Sequence, residues 1–174
     1  MKNTLKGSLA ALAAAILLLG GAGSLAYWND AENVPGASIS SGRLDLGTAD
    51  CGAGWVLDGG AAYTTQKIVP GDTLTKTCTI DLVATGTHLG ADLALTPATW
   101  SGSTALSSEL VAAANFKVNG ASRSHVTSAD DTGSAEIEAT ISVIFLAPLS
   151  TNASQNLSAT LQALAITATQ THDG

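Results

Sequence analysis

Residues 73–85 read TLTKTCTIDLVAT, and this stretch is the strongest indication of the fold class. Polar side chains alternate along it with side chains that are mostly apolar. Because successive side chains of a β-strand point to opposite faces, this period of two predicts a strand that presents one face to a core. The polar set is Thr75, Thr77, Thr79 and Asp81, and the other set is Leu74, Lys76, Cys78, Ile80 and Leu82.

Similar runs continue on both sides of this stretch, separated by Gly, Asp, Asn, Ser and Pro. Asn119-Gly120 is the clearest hairpin signal, because both residues tolerate the positive φ of a type I′ turn. The one helical pattern covers residues 109–114, where Ser107 or Ser108 can cap the first turn. We predict strands at residues 38–46, 62–68, 73–85, 92–97, 115–118, 135–146 and 159–171.

This spacing of short strands predicts an all-β chain with a single jelly-roll-like β-sandwich and one short helix. The sequence shows no internal repeat and no linker. We therefore expect residues 27–174 to form one domain, with residues 27–35 as a mobile N-terminal segment.

The N-terminus has the pattern of a secretory signal peptide. Lysines near the start precede an uncharged apolar run over residues 9–19, and small residues follow at Ser24 and Ala26. We predict that residues 1–26 form a signal-peptide helix that is cleaved between Ala26 and Tyr27, and that the protein is secreted to the extracellular space or the cell surface. The alternative is an uncleaved anchor, since a span needs about 20 residues; the glycines near residue 23 favour cleavage.

Composition excludes some partners and favours a disulfide. The formal net charge of −7 makes nucleic acid and anionic membrane poor partners, so that membrane contact is expected only through an uncleaved signal. Cys51 and Cys78 are the two cysteines of the chain. In an oxidising compartment such a pair predicts a disulfide, and two cysteines without a CxxC motif do not indicate a zinc site.

Motifs for catalysis or cofactor binding are missing from the sequence. The three histidines, His88, His125 and His172, lack the helical spacing of a metal motif, and we interpret them as exposed loop or tail residues. Asp131-Thr132-Gly133 matches the tripeptide of aspartic proteases but lacks a flanking apolar strand, so we interpret it as a solvated turn. With no nucleophile elbow and no phosphate-binding loop, we predict no catalytic residue, no metal, no cofactor and no enzymatic activity.

The tryptophans divide into two groups. Trp55 and Trp100 are expected to pack in the core or at its edge, because large aromatic side chains bury much area. Trp28 lies beside Tyr27 at the expected new N-terminus, where a free chain normally frays. Two large aromatic residues on such an end require a partner surface.

These N-terminal residues resemble a known family. GAGSLAYWND, residues 21–30, is similar to the alternate, SipW-type signal segment of the TasA/camelysin family, in which aromatic residues and a Ser/Asn-Asp pair follow a small-residue site. ISSGRLDL, residues 39–46, resembles the next family element, and residues 69–73 and 164–170 show weaker likenesses. The cysteine pair departs from firmicute members, and the Ala and Gly content suggests an actinobacterial member.

The resemblance implies a subunit of an extracellular fibre or biofilm matrix. Its assembly segment, Tyr27, Trp28, Asn29 and Asp30, would complete the sheet of a neighbouring copy or of a related matrix subunit, after a signal peptidase has acted during export. A monomeric secreted adhesin or binding domain is the alternative. A camelysin-like metallopeptidase is less expected, because the sequence has no H-E-x-x-H motif.

Overall fold

The computed structural model of the chain describes residues 32–147 and 152–173. The described residues from Ser40 onward form one compact unit. Its strands are β1 (Arg43–Leu46), β2 (Trp55–Leu57), β3 (Ala61–Tyr63), β4 (Thr73–Thr85), β5 (Leu89–Leu95), β6 (Trp100–Gly102), β7 (Leu110–Val118), β8 (Ala121–Ser122), β9 (His125–Thr127), β10 (Ala135–Phe145), β11 (Ala159–Leu161) and β12 (Ile166–His172). A helix, α1 (Thr104–Ser107), and a 3₁₀ turn at Ser128–Asp130 complete the described elements.

The larger sheet has seven antiparallel strands in the order β3-β2-β4-β10-β7-β8, with β1 also on β4. β4 and β10 are its centre, because they pair continuously from Leu82 opposite Ala135 to Thr73 opposite Ile144. β1 and β2 share the other edge of β4, where β1 pairs with its last four residues and β2 with Leu74 and Thr75. The longest alternating stretches of the sequence thus form the centre of the sheet.

A second sheet, in the order β12-β5-β9, packs against the larger one, and β6 pairs with β11 in a small separate sheet. Both large sheets contribute to one core, as the alternation in β4 and β10 predicts. Ile137, Val118 and Val126 have no exposed surface, and full burial of such a side chain contributes about 1.5–3 kcal/mol. The prediction of an all-β sandwich is therefore confirmed. The inward residues are Ile80, Leu82, Ala84, Leu89, Ala91, Leu93, Phe116, Val118, Val126, Ala135, Ile137 and Ala139.

The sequence predicted two local features correctly. The central strand has the predicted bounds, Thr73–Thr85. The hairpin between β7 and β8 turns at Asn119 and Gly120, whose φ angles are 49° and 82°. These positive angles are the ones that a type I′ turn requires.

The predicted helix at residues 109–114 is wrong. Leu110–Val118 is a strand that pairs along its whole length with β10, and its side chains alternate between buried and exposed. The central alanines favour a helix by intrinsic propensity, but pairing with a central strand outweighs a preference of a few tenths of a kcal/mol per residue. The short helix lies earlier, at Thr104–Ser107, where the Ser103 hydroxyl accepts a hydrogen bond from the Leu106 amide.

Other boundaries also differ from the predictions. The first strand begins at Arg43 rather than residue 38, and the last predicted strand divides into β11 and β12. Between them the chain moves from one sheet to another, held where the Thr96 amide donates to the Ala165 carbonyl at 2.8 Å. β2, β6, β8 and β9 were not predicted, because two or three residues are too few to show an alternation. Among the described residues, no helix is long and apolar enough to cross a membrane.

Candidate functional site

Residues 32–42, which precede β1, are exposed and belong to no helix or strand. Within residues 32–39, the side chains of Val34 and Ile39 are 86% and 95% exposed, although both are large and apolar. The predicted cleavage residues Ser24 and Ala26 and the predicted assembly residues Tyr27, Trp28, Asn29 and Asp30 lie outside the described residues. The part of the predicted donor segment that is described, residues 32–35, is therefore available for contact with another surface.

A close approach of two backbone segments marks the start of β1. A Cβ atom at Gly42 would collide with the carbonyl oxygen of Thr85, the last residue of β4. The Arg43 amide, one residue later, donates to the Thr85 hydroxyl at 3.1 Å. The glycine before the Leu-Asp-Leu strand is thus required by packing against the end of β4.

The predicted disulfide between Cys51 and Cys78 is confirmed, with an S–S distance of 2.08 Å. Cys78 is on β4 and is 2% exposed. Next to it, Asp50 and Thr79 exchange two backbone hydrogen bonds of 2.8 Å. The covalent and hydrogen bonds together hold the connection between β1 and β2 against the edge of β4.

One side of the sandwich has an open strand edge beside an apolar groove. Among the described residues, β12 pairs with β5 alone, so its outer edge has no ladder partner there. A groove of about 240 Å³ lies where β12 begins, between Ile166 and the residues that follow β1. An open edge offers backbone hydrogen bonds, and the groove offers space for apolar side chains. Its lining is Leu46, Gly47, Ala49, Cys51, Cys78, Ile80, Ile141, Leu164, Ala165 and Ile166.

A larger cleft of about 1040 Å³ lies at the other end of β4 and β10. It is built on a second apolar cluster, in which Leu106, Leu110, Val143 and Phe145 are buried. Trp55 and Trp100 pack against this cluster but remain partly exposed. The prediction that they lie at the core edge is therefore confirmed. The remaining walls come from residues 66–70 and 152–161.

The three histidines were predicted to be exposed loop or tail residues, but His125 is half-buried on β9 and His172 is on β12, and all three lie together at one end of the second sheet. The rings of His88 and His172 stack at a centroid distance of 5.3 Å. His125 is hydrogen-bonded through Nδ1 to Asp92 at 2.7 Å and through Nε2 to Asp173 at 2.8 Å. Strand register causes this, because β5 pairs with both β9 and β12.

The hydrogen bonds within this histidine cluster raise the pKa of one member, His125. The bond from Asp173, and then that from Asp92, raises the pKa of His125 above its usual value. When it is protonated, the His125 ring on β9 can donate to both carboxylates at once, to Asp92 on β5 and to Asp173 after β12. The hydrogen bonds of His125 to Asp92 and Asp173, which we call the clasp, thus connect β9 to β5 and to the residue that follows β12.

Asp130 and Asp131 accept hydrogen bonds that hold the surrounding backbone in place. Burial alone would raise the pKa of Asp130, but hydrogen bonds from Arg123 and from Thr127 outweigh it and lower that pKa. Asp131 accepts backbone hydrogen bonds from Ala84 at 3.0 Å and from Gly133 at 3.1 Å, which lower the pKa of its carboxyl group. The Asp131-Thr132-Gly133 tripeptide is thus a turn whose carboxylate fixes its own backbone.

Within residues 32–147 and 152–173, no group of three or more His, Cys, Asp or Glu side chains is placed to hold a metal ion. The functional surfaces to be explained are therefore the exposed N-terminal segment, the groove beside β12 and the larger cleft. The chain matches no protein-family model, and a comparison with curated protein sequences gives no match either.

Proposed function

We propose that this protein is a secreted structural subunit of an extracellular fibre or biofilm matrix. The observation that carries the proposal is the exposed segment before β1, in which Val34 and Ile39 have almost no protein contact surface. In the proposed assembly, residues from Tyr27 to about Pro35 of one copy add as a strand to the sheet of the next. The protein then acts as a building element rather than as an enzyme.

The open edge of β12 and the groove at its start are the proposed acceptor. A strand added along β12 would form several backbone hydrogen bonds, each worth about 1 kcal/mol net. An apolar side chain such as Val34, mostly exposed before assembly, would gain about 1.5–3 kcal/mol on burial. Several such terms give a contact strong enough to propagate a fibre.

Export is part of the same proposal. The disulfide between Cys51 and Cys78 is typical of an oxidising compartment outside the cytosol. A signal peptide that is still attached would precede Tyr27 directly and would restrict its insertion into a neighbour. Cleavage between Ala26 and Tyr27 would thus be the step that permits assembly. The resemblance to the TasA/camelysin family, which rests on the residues quoted above, supports this order of events.

The first experiment compares fibre formation by variants of the exported protein. Electron microscopy and sedimentation should show fibres for the natural chain and none for the Tyr27→Ser, Trp28→Ser variant. Val34→Asp should also prevent fibres, since a charge would be placed in an apolar groove. Asn33→Asp is the matched control: it adds the same charge at the adjacent position, which faces the opposite side of an added strand, and fibres should persist.

A synthetic peptide of residues 27–39 provides an independent test. It should bind the acceptor of one copy, offer no acceptor itself, and so shorten the fibres as its concentration increases. Fibres that persist unchanged in the Tyr27→Ser, Trp28→Ser variant would contradict donor-strand assembly. A chain that stays monomeric in size-exclusion chromatography at high concentration would favour the secreted adhesin instead. Chelator-sensitive proteolysis by the pure protein would favour the metallopeptidase.

A further inference from the structure

The larger cleft is not used by the proposed assembly. It shares no lining residue with the groove beside β12. Its volume of about 1040 Å³ is just above the usual range of small-molecule sites, about 300–1,000 Å³. The size suits an extended ligand of several units better than a single small metabolite.

Aromatic residues are concentrated in this cleft. Trp55, Tyr63, Trp100 and Phe145 line it, in a chain that has three tryptophans, two tyrosines and two phenylalanines. Trp55 and Trp100 come from different sheets, β2 of the larger sheet and β6 of the small one. Both indoles and the Tyr63 ring are partly exposed, which leaves part of their surface free for a ligand.

The polar part of the lining is neutral apart from one lysine. Asn152 and Gln155 are exposed residues of the segment before β11, and each amide offers both donors and an acceptor. Lys67 is the one charged side chain among the described residues of the lining, and its Nζ donates to Asn156 Oδ1 at 3.1 Å. The site therefore has no cluster of cations for an anionic ligand.

We infer that the cleft between Trp55, Trp100 and the 152–157 segment binds a neutral oligosaccharide. Pyranose rings present an apolar C–H face, which packs on an indole ring, and a rim of hydroxyl groups, which exchange hydrogen bonds with side-chain amides. A purely apolar ligand would leave the amides of Asn152 and Gln155 without partners, which is costly on desolvation. An anionic ligand is disfavoured, because Lys67 is the one cationic side chain among the described lining residues and the chain has a net charge of −7.

This inference does not depend on polymerisation. A matrix subunit with such a cleft would attach polysaccharide along the assembly, and a monomeric protein with it would be a sugar-binding adhesin. The competing occupant is the aromatic N-terminus of a neighbouring copy, Tyr27 and Trp28, for which the same aromatic walls would be suitable.

The test is isothermal titration calorimetry, with tryptophan fluorescence in parallel, on the exported protein. The probes are neutral hexasaccharides: laminarihexaose, cellohexaose, maltohexaose and chitohexaose. Hexagalacturonic acid is an anionic probe of the same length. We expect saturable binding of at least one neutral probe with a change in tryptophan emission, and no binding of the anionic one.

Variants assign the binding to the cleft. Trp55→Ala and Trp100→Ala should each weaken binding about tenfold or more, the equivalent of about 1.4 kcal/mol. Gln155→Ala changes an exposed side chain and should weaken binding without affecting the fold. Val111→Ala is the control, because Val111 is 43% exposed and does not line the cleft. Unfolding curves establish that each variant is folded.

Three results would overturn the inference. The first is the absence of binding to all four neutral probes. The second is an affinity equal to that of the natural chain in the folded Gln155→Ala variant and in both tryptophan variants. Sugar binding that occurs only in the Tyr27→Ser, Trp28→Ser variant would identify the N-terminal aromatic residues as the natural occupant and would overturn it as well.

Discussion

Removal of the disulfide between Cys51 and Cys78 should lower the free energy of unfolding by about 3.5 kcal/mol at 25 °C. The bond joins residues separated by 27 positions, and loop-closure entropy for a loop of that length gives this value. The double variant Cys51→Ala, Cys78→Ala should still fold. The backbone hydrogen bonds between Asp50 and Thr79 remain, and they hold the same connection to the edge of β4.

Urea denaturation followed by circular dichroism measures the effect. With a slope of about 2 kcal/mol/M, the midpoint of the double variant should fall by about 1.7 M. Cys78 is almost fully buried, so its replacement also removes packed volume. The natural chain in the presence of a strong reductant is the matched control, because it loses the cross-link but keeps both sulfur atoms. If the reduced chain and the oxidised chain unfold at the same urea concentration, the loop-closure reasoning is refuted.

Three further predictions concern the core, the start of β1 and the histidine cluster. Ile137→Ala should lower the free energy of unfolding by about 2–5 kcal/mol, measured by urea denaturation, because Ile137 has no exposed surface. Gly42→Ala should cost about 1–3 kcal/mol in the same assay, since its methyl group would overlap the Thr85 carbonyl oxygen. The pKa of His125 is higher in the folded chain than its usual value of 6.5. Its contribution to stability is therefore fully present below pH 6.5 and is lost as the pH rises through the folded-state pKa. The thermal midpoint of the natural chain should therefore exceed that of Asp173→Asn most at mildly acidic pH, and a difference that grows with pH would contradict the clasp.

The long strands could be predicted from sequence because the alternation of apolar and polar side chains along them indicates which face is buried. β4 and β10 lie at the centre of the larger sheet, and the alternation in residues 73–85 and 135–145 records which face of each contacts the core. β7 shows the limit of this reasoning. Its Ala112, Ala113 and Ala114 have little hydrophobic contrast, so their intrinsic helix preference is misleading until the pairing with β10 is known.

The surfaces proposed as sites could be predicted less well, because tertiary contacts create them. His88, His125 and His172 are far apart in sequence, and only the registers of β5 with β9 and β12 bring them together. From residue type alone, Trp55 and Trp100 are expected to pack in the core. Nothing local to either indicates that strands from two different sheets place them around one cleft.

The two ends of β4 explain why the proposed assembly surface and the proposed sugar site lie apart in so small a domain. Toward its last residues β4 is covered by the second sheet, and the groove beside β12 is the gap left at the margin of that contact. Near its first residues β4 is not covered by the second sheet. There the small sheet of β6 and β11, together with α1, borders the larger cleft. Because the two openings share no lining residue, a change such as Trp55→Ala acts on one and leaves the other intact. Each proposal can therefore fail without the other.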